Sequence, residues 1–532
     1  MNTTTQLITY SQAGIFSKTV TDYVSGNSSL LPFYEHPVSV EGVKAAMEQR
    51  RKFNTSRSLL VDALHDQYRD TSIPEKVQRN ISLLLNENTF TVTTAHQPNI
   101  FTGHLYFIYK ILHAIKLAEY LTTAIPGNHF VPVYYMGSED ADLDELGHVI
   151  VNGLKYEWNT RQTGAVGRMK VDKALVKLMD EISGQVLVEP FGGAIISLMK
   201  ACYTEGRSIE QATFLLVNEL FKEYGLVVLL PDNAVLKAAF IPVVEKELSE
   251  GFSHKAVEET VNSFPAAYKV QAGGREINLF YLTENARERI VANPNGFSIH
   301  NSELQFDHAG IRAELQQHPE RFSPNVILRP VFQETILPNI AFIGGGGELA
   351  YWLELKKVFA AAGVPYPVLV LRNSFMVLEE KYAALTLKLG FKAADLFKPE
   401  NELLNILVKR DSSLQLDLVN EMKSMELMYE RLQQVAGAVD KSLASHTAAL
   451  QAKAIKKIEV LQQKMLRAEK RKFEAQQRQL QKIKSVLFPH NGLQERTENI
   501  IPFYAKFGNG FIKLLYQNSC ALEQEFCIID IH

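Results

Sequence analysis

The chain has 532 residues, 46% of them hydrophobic, and its 56 basic and 59 acidic side chains give a net charge of −3. A chain of this size and composition buries a large core and divides into about two to four domains. These values exclude a small binding module, and they exclude attraction of the whole surface to nucleic acid or anionic lipid. Three widely spaced cysteines, Cys202, Cys520 and Cys527, exclude a disulfide framework and a CxxC metal site.

The first 85 residues predict mainly helices and carry no targeting signal. The N-terminal segment lacks a basic stretch followed by an apolar one, and no uninterrupted apolar run is long enough to span a membrane. We therefore expect a soluble, cytoplasmic protein with no membrane partner.

A strand, a polar corner and a helix are predicted over Phe90–Lys110. Residues 90–94 are apolar or β-branched, whereas apolar residues from Leu105 onward recur every three or four positions. Thr102, in the corner, is expected to cap the helix, and helix N-termini attract anions. The corner therefore predicts a site for a nucleotide or acidic substrate, with an ordinary strand–helix connection as the alternative. Its polar and glycine residues are His96, Gln97, Thr102, Gly103 and His104.

A second strand, Phe130–Met136, is predicted to end in Ser138 and a cluster of acids. Carboxylates so closely spaced repel one another unless a cation, an amine or hydrogen-bond donors face them. The cluster therefore predicts an amine or cation site, and the alternative for its last two members is the acidic first turn of a helix. The acids are Glu139, Asp140, Asp142, Asp144 and Glu145.

Two irregular regions that contain several glycines, residues 149–206 and 250–324, interrupt the alternation of strands and helices. Between them, an amphipathic helix and a compact apolar strand ending in Asp232 restore that alternation. We predict that the first region is an insertion covering the site. The second is predicted to be a smaller mixed domain containing the strand Ile277–Leu282.

Four consecutive glycines follow the mostly apolar run from Ile336 to Ile343. Such glycines let backbone N–H groups approach a phosphate or carboxylate, and a helix opening at Glu348 favours its charge. The pattern is neither GxGxxG nor GxxxxGK[ST], so a flexible turn is the alternative. The glycines are Gly344, Gly345, Gly346 and Gly347.

Polar groups follow the predicted strands at one end only. Arg329 follows a short apolar stretch, and Arg372 follows the strand Val368–Leu371, as His96, Glu139 and Asp232 follow theirs. In open α/β sheets, ligands bind beyond the carboxyl ends of the strands. The sequence therefore predicts an active site in which these groups meet.

A helical coiled coil is predicted over residues 400–488, where apolar residues alternate by four and three. If the two arms fold back near Ser442 to Thr447, each is roughly 60 Å long. Eleven basic residues against three glutamates between Gln451 and Ser485 could bind RNA, but such a run is more often the solvated face of a helix. A dimer contact without nucleic acid is therefore expected.

Six blocks of sequence in order resemble the family of bacillithiol-synthesis cysteine-adding enzymes, BshC. They are HQPNIFTGHLY, GSEDADLDE, INLFYL with RERI, LRPVFQETILPNIAFIGGGGELAYW, PVLVLRNS and LFPHNGLQER. The resemblance implies an α/β fold: a Rossmann-like core related to class I aminoacyl-tRNA synthetases, with connecting insertions and a coiled-coil hairpin that forms a homodimer. It also implies a ligase that joins cysteine to the amine of glucosaminyl malate in the cytoplasm.

The resemblance sets the expected domain organisation. Residues 1–148 form N-terminal helices and the first half of the core, 149–206 an insertion over the site, and 207–249 a further part of the core. Residues 250–324 form a second, mixed insertion, and 325–399 the second half of the core. Residues 400–488 form the hairpin, and 489–532 return to the core.

We expect the site to activate a carboxylate and present an amine to it, with ATP or ADP as the expected cofactor and no metal. Arg329 and Arg372 are expected to clamp a carboxylate, and Glu139 with Asp140 to hold the amine and take its proton. The glycines, Thr102 and His96 are expected to hold an anion. The predicted catalytic residues are Glu139, Asp140 and His96. The predicted substrate-binding residues are Gln97, Thr102, Gly103, Ser138, Asp142, Arg329, Gln333, Gly344, Gly345, Gly346, Gly347, Glu348, Tyr351, Arg372, Asn373 and Ser374.

The sequence departs from the family pattern at three positions. Ala141 replaces a histidine between two aspartates, Gly346 replaces a proline, and His104 replaces a proline. Two other functions remain open: a different adenylate-forming or nucleotidyl-transferring enzyme of the same fold, and a non-catalytic scaffold carrying the hairpin as a binding arm.

Overall fold

The computed structural model describes residues 3–532; Met1 and Asn2, the start of the N-terminal segment considered above, lie outside the described residues. The chain divides into two compact units. The core unit consists of Thr5–Met376 and Leu493–Cys527, and the hairpin unit chiefly of Val377–Gly492 and Ile528–His532.

Strands and helices alternate through the core unit, as predicted, and helices dominate the hairpin unit. In residues 3–532 the strands β1 to β15 are Thr3–Thr9, Thr89–His96, His129–Met136, His148–Val151, Leu154–Glu157, Val227–Leu229, Leu279–Leu282, Arg287–Asn293, Gly296–Ile299, Gln305–Phe306, Phe322–Pro324, Asn339–Gly344, Val368–Leu371, Ser374–Leu378 and Glu525–Ile531. The helices α1 to α24 are Tyr10–Ala13, Lys18–Val24, Val40–Arg51, Arg57–Tyr68, Glu75–Leu83, Leu105–Ala124, Leu143–Leu146, Lys173–Val186, Gly192–Cys202, Ile209–Phe221, Ala234–Ala238, Ile241–Glu250, Phe252–Ser263, His308–Gln317, Arg329–Ile336, Gly346–Trp352, Lys356–Ala362, Glu380–Lys388, Glu400–Asp411, Val419–Val439, Lys441–Lys470, Glu474–Leu487, Ile501–Phe507 and Asn509–Gln517.

A five-stranded parallel sheet in the order β13–β12–β2–β3–β6 forms the centre of the core unit. Its strands are buried on both faces, as in β12, where all six residues are buried. This agrees with the apolar or β-branched character of most strand residues in the sequence. The α/β prediction is confirmed, and the carboxyl ends of β2, β3, β6, β12 and β13 lie at one edge.

Helix α6 covers one face of this sheet and begins after an unusual corner. Phe101, Thr102 and Gly103 all have positive φ, at 52°, 73° and 62°. Helix α6 is preceded by His104 and receives no side-chain cap, so the prediction that Thr102 caps it is wrong. Asn499 holds the corner by donating from Nδ2 to the carbonyl oxygen of Phe101 at 2.9 Å.

The two predicted insertions differ in structure. The first contains the antiparallel pair β4–β5 followed by α8 and α9. The second contains an antiparallel sheet in the order β10–β9–β8–β7–β11. The last sheet has the order β1–β15–β14. Boundaries between the two units fall within each of these three strands.

The hairpin unit contains a helical hairpin whose arms are unequal. Its first arm, α20, has 21 residues and spans about 31 Å at about 1.5 Å per residue. The chain reverses at Asp440, which caps α21 by accepting a hydrogen bond from the Ser442 N–H at 2.7 Å. The prediction of two arms near 60 Å is therefore wrong for the first arm, because the chain leaves helical geometry between α19 and α20. In residues 3–532 no helix is long and apolar enough to cross a membrane.

Candidate active site

A cavity of about 510 Å³ lies within the core unit at the carboxyl end of the parallel sheet. Its walls come from the ends of β2 and β3, from the loop after β6, from the second insertion, and from helices α6, α7, α15 and α16. The lining residues are Ala95, His96, Gln97, Tyr106, Tyr135, Gly137, Ser138, Glu139, Asp140, Glu145, Pro231, Gly273, Arg275, Phe280, Arg287, Pro324, Asn325, Val326, Arg329, Glu348 and Tyr351.

The cavity unites eight residues that the sequence predicted from separate segments. Of the groups predicted to meet at the strand ends, His96, Glu139 and Arg329 line the cavity, whereas Asp232 and Arg372 do not. Arg329 reaches the cavity differently from the prediction, because it begins helix α15 and follows no strand. The eight residues are His96, Gln97, Ser138, Glu139, Asp140, Arg329, Glu348 and Tyr351.

Arg329 gives the cavity a cationic flank. Its Nη2 donates to the Tyr351 hydroxyl at 2.9 Å, and its Nη1 donates to Gln333 Oε1 at 3.3 Å. Both partners are uncharged, so these bonds orient the guanidinium without neutralising it. A guanidinium held in this way is suited to binding a carboxylate or phosphate.

Arg287, on β8, extends the cationic flank. Its guanidinium lies 4.0 Å from the centre of the Phe280 ring, and its Nε donates to Ser323 Oγ at 3.1 Å. Burial lowers the pKa of Arg287, and the nearby acids Glu139 and Asp140 oppose that change. The sequence analysis did not select Arg287 or the lining residue Arg275. Arg287 lies in the hairpin β7–β8, and the pairing of β7 with the distant strand β11 brings Ser323 to its guanidinium, a contact that no local signal encodes.

Glu139 and Asp140 form the acidic flank. Glu139 is ion-paired with Lys237, and its Oε2 accepts a hydrogen bond from Ser323 Oγ at 3.1 Å. Burial raises the pKa of Glu139, while Lys237 acts in the opposite direction. Asp140 Oδ2 accepts a hydrogen bond from Gln97 Nε2 at 3.1 Å. Asp142 instead caps the short helix α7, with Asp144 and Glu145 in its first turn, which agrees with the alternative stated for those two acids.

The glycine run does not form the predicted anion cradle. The Gly345 N–H donates to Glu348 Oε2 at 2.8 Å, and buried Lys110 donates to the same oxygen at 2.6 Å. Helix α16 begins at Gly346 and has only seven residues. The chain's own carboxylate therefore occupies the amide that a ligand phosphate would need. Of the segment 344–348, only Glu348 lines the cavity.

Arg372 does not share a ligand site with Arg329. Its Nη2 donates to Glu495 Oε1 at 2.7 Å, and its Nη1 donates to Ser374 Oγ at 3.1 Å. Arg372 is 3% exposed and lies outside the cavity lining. The clamp expected from the two arginines is not formed, because the distant Glu495 already satisfies Arg372. Asn373 is also engaged elsewhere, donating from Nδ2 to the Cys520 carbonyl oxygen at 3.1 Å.

Three further predicted residues lie behind the cavity wall. Thr102 and Gly103 belong to the corner before α6, and a Cβ at Gly103 would lie 2.7 Å from the Asn99 Cβ. Gln333 is fully buried and donates from Nε2 to Glu334 Oε1 at 2.9 Å. These residues shape the surroundings of the cavity and do not line it.

His96 lies at the cavity wall as a neutral imidazole. Burial is the main cause that lowers its pKa, and the neighbouring Lys110 lowers it further. Its ring lies 5.4 Å from that of Tyr106 and 5.2 Å from that of Phe107, measured between ring centres. A neutral imidazole can donate or accept a hydrogen bond but adds no positive charge for an anion. Within residues 3–532, no group of three or more histidines, cysteines and acids is arranged to hold a metal ion.

Comparison with known proteins identifies the family. Residues 2–373 match a family model described as "Bacillithiol biosynthesis BshC, N-terminal Rossmann-like domain". Residues 375–531 match one described as "Bacillithiol biosynthesis BshC, C-terminal coiled-coil domain". The chain belongs to the BshC family. The BshC models thus confirm the predicted Rossmann-like core and coiled-coil domain.

Three similar BshC proteins each carry the name "Putative cysteine ligase BshC". The one from Flavobacterium johnsoniae is 39% identical over 529 residues, covering 99% of this chain and 100% of that protein. The one from Christiangramia forsetii is 36% identical and covers 99% of both chains. The one from Cytophaga hutchinsonii is 36% identical and covers 96% of both. The chain is thus similar along its whole length to proteins named as ligases.

A solved structure titled as a putative arginyl-tRNA synthetase from Campylobacter jejuni is 11% identical to this BshC chain. It covers 83% of this chain and 98% of its own, with a TM-score of 0.23. A TM-score of 0.23 is too low to indicate a common fold, so the relation to class I synthetases stays a prediction.

Proposed function

We propose that this protein is a cysteine ligase that joins the carboxyl group of cysteine to the amine of glucosaminyl malate, forming the amide bond of bacillithiol. One observation carries the proposal: a single cavity holds a cationic flank and an acidic flank. An amide-forming ligase needs one group to hold a carboxylate and another to hold an amine. The names of the similar proteins support the choice of cysteine.

The cationic flank binds carboxylates of the substrates in this proposal. Arg329 is oriented by Tyr351 and Gln333, both uncharged, so its charge remains available to a ligand. Arg287 and Arg275 line the same cavity. Malate is an anionic group, and planar guanidinium groups bind carboxylates through paired hydrogen bonds.

The acidic flank receives the attacking amine. Glu139 attracts the ammonium form, and Asp140 accepts the proton when the nitrogen bonds to the carboxyl carbon and the carbon–oxygen bond to the leaving group breaks. Gln97 Nε2 and the Asp142 N–H donate to Asp140 at 3.1 and 3.3 Å, which fixes the direction of its carboxylate. Neutral His96 donates or accepts one hydrogen bond beside them.

Amide formation from a free carboxylate and an amine is uphill in water, so we propose that ATP or ADP supplies the activation. When bound, the nucleotide would supply the chemistry that turns the carboxylate oxygen into a leaving group. The glycine run does not fit its phosphate, because the Gly345 N–H is already bonded to Glu348. Release of phosphate or pyrophosphate that depends on both cysteine and glucosaminyl malate tests this requirement.

The ligase proposal is tested by incubating the purified protein with cysteine, glucosaminyl malate and ATP, and detecting the amide by mass spectrometry. We expect product with cysteine and none with glucosaminyl malate alone. Nucleotide turnover with a different acid, without amide formation from cysteine, would instead indicate another adenylate-forming enzyme.

A cellular test uses thiol profiling of a strain lacking the protein. We expect glucosaminyl malate to accumulate and bacillithiol to be absent, with both restored by the wild-type gene. An unchanged thiol profile would contradict the proposed product.

We also propose that the protein works in the cytoplasm as a homodimer joined through the hairpin unit. The helices α20 and α21 leave large apolar side chains exposed, including Leu427, Val435 and Val439 at 60%, 63% and 80%. Apolar stripes on paired helices are commonly covered by further helices. Subcellular fractionation tests the location, and the oligomeric state is treated in the Discussion.

A further inference from the structure

A chain of alternating charges lies behind the acidic flank of the cavity, inside the core unit. It begins with Glu139, which is ion-paired with Lys237. Lys237 also lies 3.5 Å from Asp232. Asp232 accepts two hydrogen bonds from Arg168, at 2.7 and 2.8 Å. The order is acid, base, acid, base, and three separate chain segments contribute to it, since Asp232 and Lys237 belong to the same one.

Lys237 stands out in this chain because it is almost completely buried. Its side chain is 3% exposed, and its Nζ also donates to the Glu320 carbonyl oxygen at 2.9 Å. An ammonium group is costly to bury unless it is paired and hydrogen-bonded.

We propose that Lys237 is a positioning residue for the ligase reaction, which keeps Glu139 ionised and aimed at the amine of the substrate. This inference rests on the proposed function and deepens it. Glu139 lines the cavity. Lys237 pairs with one of its carboxylate oxygens, and Ser323 donates a hydrogen bond to the other. A carboxylate fixed by these two groups attracts an ammonium without having to reorganise, which is the arrangement that favours electrostatic binding.

The charges around Glu139 decide the direction of the pH effect. Burial raises the pKa of Glu139, and Asp232 raises it further, whereas Lys237 and Arg287 lower it. The charge of Glu139 also raises the pKa values of Arg168, in the first insertion, and of Glu210, in α10. Among the charges that lower the pKa of Glu139, Lys237 has the largest effect. Its removal leaves burial and the neighbouring acids, which favour the neutral carboxyl group. Neutral Glu139 would not attract an ammonium.

The experiment compares Lys237→Met, Lys237→Arg and a matched control, Lys246→Met. Lys246 is a suitable control because its Nζ donates to the Ala361 carbonyl oxygen at 2.8 Å, away from the cavity lining. We expect the acidic limb of the kcat/KM profile to move upward by at least about one pH unit in Lys237→Met. Lys237→Arg should restore much of the wild-type profile, and Lys246→Met should leave it unchanged. An unmoved limb in an active Lys237→Met protein overturns the inference.

A second measurement needs no substrate. The difference in Tm between Lys237→Met and wild type is recorded from pH 5 to pH 8, with and without Glu139→Gln. Without Lys237, the pKa of Glu139 in the folded protein is expected to rise further above its value in the unfolded chain. Lys237→Met should then lose stability relative to wild type as pH rises, and Glu139→Gln should remove that loss. A pH-independent difference in Tm overturns the inference, even if Lys237→Met is inactive. Wild-type protein that forms no amide contradicts the proposed function, while this thermal measurement still decides whether Lys237 controls the ionisation of Glu139.

Discussion

Arg329 and Arg372 show how two arginines in similar sequence settings acquire different roles. Arg329 donates to uncharged groups at the cavity wall, whereas Arg372 is paired with Glu495 behind it. We expect Arg329→Lys to raise the KM for glucosaminyl malate about tenfold to hundredfold, because lysine cannot make paired hydrogen bonds to a carboxylate. Its Tm should stay near that of wild type.

Arg372→Lys serves as the matched comparison for that measurement. We expect it to lower the free energy of unfolding by about 1–3 kcal/mol, because it leaves buried acceptors without a donor. Steady-state kinetics and thermal unfolding of both variants separate the two roles. A KM change in Arg372→Lys without loss of stability would contradict the assignment.

Glu210 gives a prediction about pH. Burial is the main cause that raises its pKa from 4.5 to about 7, and Asp232 raises it further. A raised pKa of an acid in the folded protein means that stability is greatest below pH 4.5 and falls as pH rises through about 7. We expect Glu210→Gln to remove this loss, which is roughly 3 kcal/mol. Unfolding curves at pH 5 and pH 8 measure it, and equal slopes against pH in both proteins would refute it.

At the scale of single residues, the sequence predicted strand-end groups better than their partners. His96, Glu139 and Asp140 were found because each follows an apolar run, and parallel strands bring such ends together. Lys237 and Arg287 were missed because each contacts a distant segment: Lys237 pairs with Glu139, and Arg287 donates to Ser323. Glu348 was predicted to bind substrate, but its carboxylate turns back to the Gly345 N–H, as a glutamate at the third helical position does in a capping box.

At the scale of secondary-structure elements, a buried ion pair joins helix α3 to helix α15. Arg50 Nη2 donates to Glu334 Oε2 at 2.8 Å, with the two side chains 2% and 0% exposed. Arg50→Met leaves Glu334 as an uncompensated buried charge, so we expect it to lower the free energy of unfolding by about 3–5 kcal/mol. Urea denaturation measures this change.

Arg51 provides the control for that experiment. It is adjacent on the same helix and pairs with Glu48, but its side chain is 37% exposed. We expect Arg51→Met to change the free energy of unfolding by at most about 1 kcal/mol, because water screens an exposed ion pair. Equal effects of the two substitutions would show that burial of the Arg50 pair contributes nothing.

Elements were predicted most accurately where the hydrophobic pattern was long. The bounds of β13 agree with the prediction residue for residue, and α6 begins at Leu105, the first residue of the predicted apolar repeat. The conformation of the corner between β2 and α6 could not be predicted from local sequence, because its three successive positive φ values depend on a contact with the remote Asn499. The length of the first hairpin arm was overestimated, since its apolar repeat does not reveal the non-helical residues before α20.

At the scale of the whole molecule, the hairpin unit leads to a prediction about oligomeric state. Leu427 and Val435 are 60% and 63% exposed on α20, where no residue is buried. If these side chains pack against a second copy, Leu427→Glu combined with Val435→Glu should convert a dimer into a monomer in sedimentation experiments, because charged groups oppose burial.

Leu387→Glu is the matched control for the dimer experiment. Leu387 is 71% exposed in α18, which belongs to the same unit but lies outside the hairpin. We expect Leu387→Glu to leave the sedimentation coefficient unchanged. Wild-type protein that sediments as a monomer at all concentrations would contradict the proposed dimer.

The ion pair between Arg372 and Glu495 also constrains how the protein is made. Its two residues are separated by 123 positions, although both belong to the core unit. A ribosome adding about 5–20 residues per second needs roughly 6–25 seconds to travel between them. During that interval the nascent chain carries an arginine whose partner has not been synthesised, and the whole hairpin emerges first. This part of the core therefore cannot be completed until late in translation.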